Sequence, residues 1–213
     1  MIKKKIKICG MTDAGNISAV CSLGPDYMGF ILYKRSPRYV SLEKAAKLVN
    51  KIPPSIQKIG VLVNEPFLNA MHIAKSRTFD FLQLHGDENP DYCRKLSVDV
   101  PVIKAFRISK NLPGNLADYQ PFCSMFLFDT EGKDFGGTGK KFHHDVLNSY
   151  KLNTNYILAG GISVNDSHSL RAFTWPVMTG VDLNSRFEVR PGIKDTELLK
   201  KFIDNLRTDD DND

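Results

Sequence analysis

A cysteine and an aspartate stand at the ends of two apolar segments, where side chains often carry out chemistry. Cys9 follows a stretch of alternating apolar and charged residues, and this period of two predicts a β-strand. Asp129 follows the apolar run from Met125 to Phe128, which predicts another strand. A thiol and a carboxyl group can both transfer protons. Taken singly, however, a cysteine is also a common small core residue, and an aspartate often opens a loop.

Further polar side chains follow the other predicted strands: Arg38, Gln83, His85, Lys104, Arg107, Asp182, Ser185 and Arg186. Together with the thiol and the carboxyl group, they would supply several cations to one rim. The modest net positive charge of the chain, +5, favours a small anionic substrate. Each residue also has an ordinary interpretation: His85 before Gly86 suits a turn, and Lys104 suits the neutralisation of a rim carboxylate.

Two glycine-rich segments add to this pattern. The run Phe135 to Lys140 is not a Walker phosphate loop, because Lys141 stands where that motif requires Ser or Thr. We expect a flexible lid from Thr130 to Lys140. The pair Gly160-Gly161, together with the loop after the eighth strand, is where a barrel would bind phosphate through backbone amides.

The elements that must position these groups alternate regularly along the chain. Helical patterns separate the predicted strands, which are Lys3–Cys9, Tyr27–Leu32, Ile59–Val63, Phe81–Leu84, Val102–Ala105, Met125–Phe128, Tyr156–Ala159 and Val177–Leu183. Strict alternation implies a parallel sheet with right-handed crossovers, and eight units predict a (β/α)8 TIM barrel. A doubly wound open sheet is the alternative. It is disfavoured because no Gly-x-Gly-x-x-Gly turn follows the first strand.

No linker or shift in composition divides the 213 residues. We therefore expect a single α/β barrel domain over residues 1–207, followed by an acidic disordered tail at 208–213. Two helical patterns beside the predicted lid and phosphate site cover His144–Tyr150 and Asn165–Phe173.

Composition narrows the possible partners. The net charge of +5 comes from scattered lysines, so nucleic-acid binding is not indicated, and no apolar run is long enough for a membrane helix. The charged start of the sequence contains no apolar targeting core, so we expect no targeting segment before the first strand. The four cysteines form no C-x-x-C pair and the histidines lack ligand spacing, so we expect reduced thiols in a cytoplasmic protein and no metal site.

Nine segments of the chain resemble, in order, the phosphoribosylanthranilate isomerase family of tryptophan biosynthesis. They include Lys7-Ile8-Cys9-Gly10-Met11-Thr12, Ser36-Pro37-Arg38-Tyr39, Gln83-Leu84-His85-Gly86, Phe128-Asp129-Thr130, Gly136-Gly137-Thr138-Gly139-Lys140, Ala159-Gly160-Gly161-Ile162, Val181-Asp182 and Pro191-Gly192-Ile193-Lys194-Asp195. They span nearly the whole chain, and the first motif together with the Gly-Gly-Thr-Gly-Lys loop is specific.

The resemblance implies an isomerase that rearranges a phosphorylated aminosugar without a cofactor. It implies that Cys9 is the general base, Asp129 the general acid and Arg38 the group that holds the anthranilate end. It also implies that Gly160 and Gly161, with Ser185 and its neighbour, bind the phosphate. Gln83, His85, Asp182 and Arg186 complete the expected substrate site. Either a monomer or a homodimer is compatible with this interpretation.

Two positions depart from the family pattern. The family carries Ser-Gly in the loop after the eighth strand, whereas this chain has Ser185-Arg186. Asn184 stands where the family commonly has a small hydroxyl residue. An arginine there would restrict the backbone or add a cation for the phosphate.

The proposed chemistry also requires particular surroundings. A thiol needs nearby positive charge to serve as a base. Lys7 lies two residues before Cys9 on the same predicted strand, so both side chains should point to the same face. Arg38, from the next loop, would add a second positive charge. Phe128 and Phe135 are expected to exclude water around Asp129.

Two other functions stay open at this point. One is the related isomerase of histidine biosynthesis, or a bifunctional enzyme; Cys9 disfavours it because those relatives use a carboxylate there. The other is a non-catalytic barrel that binds a sugar phosphate. The retained thiol, carboxylate and arginine argue against it.

Overall fold

Eight parallel strands close into a barrel in chain order in the computed structural model, and β1 pairs with β8 to complete it. The strands are β1 Lys5–Cys9, β2 Tyr27–Ile31, β3 Gln57–Leu62, β4 Phe81–Leu84, β5 Val102–Ile108, β6 Met125–Thr130, β7 Tyr156–Leu158 and β8 Met178–Leu183. The predicted (β/α)8 barrel is thereby confirmed, and the open doubly wound sheet is wrong.

The structure describes residues 4–130, 144–173, 175 and 177–207. The predicted lid beyond Thr130 and the predicted acidic tail at 208–213 lie outside these residues. Phe135 and the Gly-Gly-Thr-Gly-Lys segment also lie outside them.

Helices cover the outside of the barrel between successive strands. They are α1 Ala14–Cys21, α2 Leu42–Val49, α3 Phe67–Lys75, α4 Pro90–Leu96, α5 Leu116–Tyr119, α6 Ser167–Ala172 and α7 Thr196–Arg207. Local capping explains several starts: the Ser41 side chain accepts from Lys44 N, and Asn89 accepts from Tyr92 N. Across the described ranges, every helix is too short or too polar to cross a bilayer.

Two predicted helices differ from expectation. The pattern over His144–Tyr150 forms a 3-10 helix at His144–Ser149. The pattern over Asn165–Phe173 divides into a 3-10 turn at Val164–Asp166 and the short helix α6.

Strands β5 and β6 are longer than predicted, and this decides where one candidate catalytic group lies. Their register continues through Arg107 opposite Asp129 and Ile108 opposite Thr130. Asp129 is therefore held within a hydrogen-bonded strand rather than in a loop, so its direction is fixed by the strand pleat.

Successive side chains along each strand point to opposite faces of the sheet, and the apolar ones form two separate layers. An inner layer fills the barrel and includes Cys9, Val61 and Leu127, while an outer layer packs between the sheet and the helices. Phe128 belongs to the outer layer, where its ring contacts Tyr150 and Tyr156. The expectation that Phe128 excludes water from Asp129 is therefore wrong, because adjacent strand residues point to opposite faces.

A short antiparallel ribbon after β8 was not predicted. It pairs β9 Glu188–Arg190 with β10 Ile193–Lys194. Both segments are too short to show an alternating pattern. Their turn contains Gly192 at φ +86°, where a Cβ would lie 2.4 Å from Thr12 Oγ1. Glycine at this position thus lets the ribbon pack closely against the loop after β1.

Candidate active site

A cleft of about 830 Å³, including its open mouth, lies at the carboxyl ends of the barrel strands. All ten site residues predicted from the sequence line it: Cys9, Arg38, Gln83, His85, Asp129, Gly160, Gly161, Asp182, Ser185 and Arg186. Groups from both ends of the sequence therefore meet in one cavity, because parallel strands bring their carboxyl ends to the same rim.

Cys9 lies at the floor of this cleft and is 4% exposed. Its strand partner is Gly29, and a Cβ on Gly29 would lie 2.7 Å from the Cys9 sulfur. The absence of a side chain at Gly29 makes the space that the thiol occupies. Lys7, two residues earlier, is fully buried and donates to Asp182 Oδ2 at 2.7 Å. The predicted direction of Lys7, towards the thiol, is consistent with its positive charge acting to lower the pKa of Cys9.

Burial and the neighbouring positive charges have opposite effects on the pKa of the Cys9 thiol. Burial raises the pKa of the Cys9 thiol above its ordinary value, and the positive charges of Lys7 and Lys194 offset this only in part. Burial also works against the charge on Lys7, but Asp182 and Cys9 outweigh it and raise the pKa of Lys7. Asp182 therefore favours the charged form of Lys7 beside the thiol.

Asp129 lies across the cleft in a small hydrogen-bonded group. Its Oδ1 accepts from Thr130 N at 2.8 Å, and its Oδ2 lies 3.2 Å from His85 Nε2. On the other side of the imidazole, Gln83 Nε2 lies 2.7 Å from His85 Nδ1. With the Gln83 amide donating to Nδ1, the remaining imidazole nitrogen faces the carboxyl group. The two side chains are therefore neighbours, although Nε2 makes no hydrogen bond of good geometry within the described residues.

Arg38 reaches the cleft from the loop after β2. Its Nε donates to Glu188 Oε1 at 2.9 Å and its Nη2 donates to Glu188 Oε2 at 2.6 Å. The Arg38 stem lies against Gly10, where a Cβ would be 2.6 Å from Arg38 Cδ. Gly10, at φ +81°, thus leaves room for the arginine directly beside the strand end that carries the thiol.

The loops after β7 and β8 line the cleft with backbone and small side chains. Gly160 and Gly161 both have positive φ, at +90° and +64°. A Cβ on Gly160 would lie 2.1 Å from Thr130 Oγ1, so this turn requires glycine. Ser185 and Arg186, in the loop after β8, also line the cleft. Asn184, one of the departures from the family pattern, accepts a hydrogen bond from Lys194 Nζ at 2.8 Å.

Two other rim cations do not line the cleft. Lys104 is buried and donates to Glu88 Oε2 at 3.1 Å and to Gly86 O at 2.8 Å. Arg107 pairs with Asp87. The ordinary interpretation of Lys104 as a partner for a rim carboxylate is confirmed. Among the residues that the structure describes, His, Cys, Asp and Glu side chains form no group of three suited to a metal ion.

Sequence reasoning missed the roles of Glu188 and Lys194. Lys194 lies in Pro191-Gly192-Ile193-Lys194-Asp195, a segment that matched the family but indicated no role. Its Nζ donates to Glu188 Oε1 at 2.8 Å, and its side chain is fully buried. The only available signal was the match of this segment to the family, because the burial of Lys194 is visible in the structure alone.

Comparison with known proteins is consistent with this architecture. A family model described as N-(5′-phosphoribosyl)anthranilate (PRA) isomerase matches residues 6–205. The N-(5′-phosphoribosyl)anthranilate isomerase of Parabacteroides distasonis is 39% identical over 206 residues, covering 94% of this chain and 92% of that protein.

Two solved structures are also similar. The phosphoribosyl anthranilate isomerase of Thermus thermophilus superposes with a TM-score of 0.83 at 27% identity, covering 95% of this chain and 98% of that one. A phosphoribosyl anthranilate isomerase in complex with reduced 1-(o-carboxyphenylamino)-1-deoxyribulose 5-phosphate superposes with a TM-score of 0.78 at 29% identity, covering 97% and 99%. The chain belongs to the N-(5′-phosphoribosyl)anthranilate isomerase family, an aldose–ketose isomerase family of tryptophan biosynthesis.

Proposed function

We propose that this protein converts N-(5-phosphoribosyl)anthranilate into 1-(2-carboxyphenylamino)-1-deoxyribulose 5-phosphate by an Amadori rearrangement without a cofactor, with Cys9 as general base and Asp129 as general acid. The observation that carries the proposal is that the thiol and the carboxyl group line one cleft together with Arg38 and the Gly160-Gly161 turn. The relative solved with the reduced product supports the same ligand class.

The first step opens the sugar ring. Asp129 donates a proton to the ribose ring oxygen, the bond from that oxygen to the anomeric carbon breaks, and the nitrogen lone pair forms a cationic iminium. The His85 imidazole lies beside this carboxyl group, with 3.2 Å between Nε2 and Asp129 Oδ2, and we assign it the return of the proton to Asp129. His85 thereby acts through the carboxyl group, and Gln83 orients the imidazole.

The second step removes a proton from the sugar carbon next to the iminium. The Cys9 thiolate takes that proton, and the electrons of the C–H bond form an enolamine, which tautomerises to the ketone. Because the thiol pKa is raised, only a small fraction of the protein carries the Cys9 thiolate at neutral pH, but that thiolate is a stronger base. The iminium formed in the first step brings positive charge near the sulfur, and this charge favours the thiolate.

The two ends of the substrate carry anions that the cleft can bind. Arg38 suits the benzoate carboxylate, because a guanidinium donates two parallel hydrogen bonds to one carboxylate. Gly160, Gly161 and Ser185 suit the phosphate through backbone amides and a hydroxyl group. Asp182, held by Lys7, has one buried oxygen without a hydrogen-bond partner among the described residues, and it suits a sugar hydroxyl.

The decisive experiment is a fluorescence assay that follows loss of the anthranilate substrate by the purified protein. The aminoaldose of histidine biosynthesis should be run in parallel, because it tests the bifunctional alternative. Turnover of the anthranilate substrate alone would support the proposal. Turnover of only the histidine-pathway substrate, or binding of product without turnover of either substrate, would contradict it.

The ligand-free Cys9 thiol should be alkylated slowly at neutral pH. Burial raises its pKa, so at a given pH a smaller fraction is thiolate than in free cysteine, whose pKa is about 8.5. The rate of iodoacetamide alkylation should therefore increase with pH to a midpoint above that of free cysteine. Peptide mass spectrometry would measure the rate at Cys9, with glutathione in the same buffers as reference. A midpoint below that of glutathione would contradict the assigned surroundings.

Replacing Arg186 by glycine restores the residue that the family carries. If the side chain contributes to phosphate binding, KM should rise several-fold while kcat changes little, because the interaction is present equally in the ground and transition states. Steady-state kinetics of both proteins would measure this. An unchanged KM would show that Arg186 does not act on the phosphate.

A further inference from the structure

Glu188 is a buried carboxylate at the rim whose role the proposed chemistry does not use. Its side chain is 3% exposed. The carboxylate accepts hydrogen bonds from Arg38 Nη2 and Nε, at 2.6 and 2.9 Å, from Lys194 Nζ at 2.8 Å and from Gly192 N at 3.1 Å. Burial opposes ionisation of Glu188, but the hydrogen bond from Arg38 and the charge of Lys194 hold its pKa below its usual range. The carboxylate is therefore charged and fixed.

We propose that Glu188 is the positioning residue for Arg38 and so sets the selectivity of the cleft for a substrate that carries an aromatic carboxylate. This rests on the proposed function, in which Arg38 binds that carboxylate. Glu188 occupies the Nε–Nη2 edge of the guanidinium. Within the described part of the chain, Nη1 has no hydrogen-bond partner, and Arg38 lines the cleft. The edge formed by the two terminal nitrogens is thus left for a ligand anion.

The charges of this group favour the same assignment. Arg38 is positive and Glu188 negative, while burial lowers the pKa of Lys194 and Glu188 favours its charged form. With Lys194 charged, the three together keep one net positive charge beside the cleft, which a substrate carboxylate would neutralise. Without Glu188, burial and the charge of Arg38 would lower the pKa of Lys194 further, and the guanidinium would lose the contact that fixes its plane.

The position of Glu188 is itself fixed relative to Cys9. Thr12 Oγ1 donates to Gly192 O at 3.0 Å, and Asn16 exchanges hydrogen bonds with the backbone of Lys194 at 2.9 and 2.8 Å. The β9–β10 ribbon is thereby attached to the segment that follows the thiol. Arg38 is held at both ends, since its stem rests on Gly10 and its head on Glu188. The anion-binding edge and the thiol consequently keep one geometry.

The test is Glu188→Gln, which keeps the shape of the side chain and removes its charge. Calorimetry should measure two probes: reduced 1-(o-carboxyphenylamino)-1-deoxyribulose 5-phosphate and the matching N-phenyl compound without the carboxylate. We expect Glu188→Gln to weaken the first probe roughly tenfold or more and to leave the second nearly unchanged. In kinetics, KM for phosphoribosylanthranilate should rise more than kcat falls.

Arg38→Met and the double variant complete the measurement. If Glu188 acts through Arg38, Glu188→Gln should have little further effect on the carboxylate probe in the Arg38→Met background. Equal weakening of both probes, or a full effect of Glu188→Gln without Arg38, would overturn the proposal. If Arg38→Met alone leaves the carboxylate probe unchanged, the role of Arg38 in the proposed function is wrong, and this result is distinguishable from failure of Glu188 alone.

A matched control separates positioning from general loss of stability. Glu88→Gln breaks another buried lysine–glutamate pair at the same rim, one that does not line the cleft. It should lower Tm without changing the ratio of the two probe affinities. If Glu188→Gln does not fold, Glu188→Asp retains the charge on a shorter stem and should give an intermediate loss of the carboxylate probe. No selective loss in that variant would equally overturn the proposal.

Discussion

Replacing Cys9 by alanine is expected to lower kcat for phosphoribosylanthranilate by about 10²–10⁴-fold, the contribution typical of one proton-transfer group. Alanine has no ionisable atom, so no side chain at the end of β1 would remove the proton from the sugar carbon. The fold should persist, because the change removes one sulfur atom from a small space opposite Gly29 and costs about 1 kcal/mol. Steady-state kinetics and thermal unfolding would measure the two effects.

Cys93→Ala is the matched control for this substitution. Cys93 is another fully buried thiol, but it lies on α4 in the outer apolar layer and does not line the cleft. Its replacement should leave kcat near the wild-type value. Near wild-type turnover in Cys9→Ala itself would show that another group is the base.

Asp129→Asn should cause a loss of similar size, about 10²–10⁴-fold in kcat. Asparagine has the same shape, and its amide oxygen can still accept from Thr130 N, but it cannot supply a proton to the ring oxygen of the substrate. The loss should fall on kcat more than on binding of the product analogue. Kinetics and calorimetry of the same preparation would separate the two effects.

Asp87→Asn controls for removal of a rim carboxylate. Asp87 pairs with Arg107, and its side chain is 62% exposed and does not line the cleft. This variant should turn over substrate at close to the wild-type rate. If Asp129→Asn did so too, the acid would have to be sought elsewhere in the cleft, with His85 as the first candidate.

Much of the fold was predictable because its signals are local. Alternation of strand and helix patterns predicted all eight barrel strands and their order, since the period of two or 3.6 is written within each segment. The 3-10 helix at His144–Ser149 and the β9–β10 ribbon were not predicted. Each is short, and its form depends on what it packs against rather than on its own pattern.

The sequence by itself determined most of the groups that reach the cleft, although Lys104 and Arg107, predicted for the same rim, do not line it. Cys9 and Asp129 follow from strand ends, Gly160 and Gly161 from a glycine pair after a strand, and the family motifs support the same residues. Strand ends in a parallel barrel share one rim, so a one-dimensional pattern is sufficient to bring these groups together.

Only the tertiary structure decided how the charges are paired. Arg38 and Glu188 are separated by 150 positions, and Lys7 and Asp182 by 175, so no local pattern indicates either contact. The same holds for Lys194, which approaches the thiol because the ribbon packs on the segment after β1. Charge pairing depends on distances of a few ångströms in space, and these are set by packing of distant segments rather than by residue type.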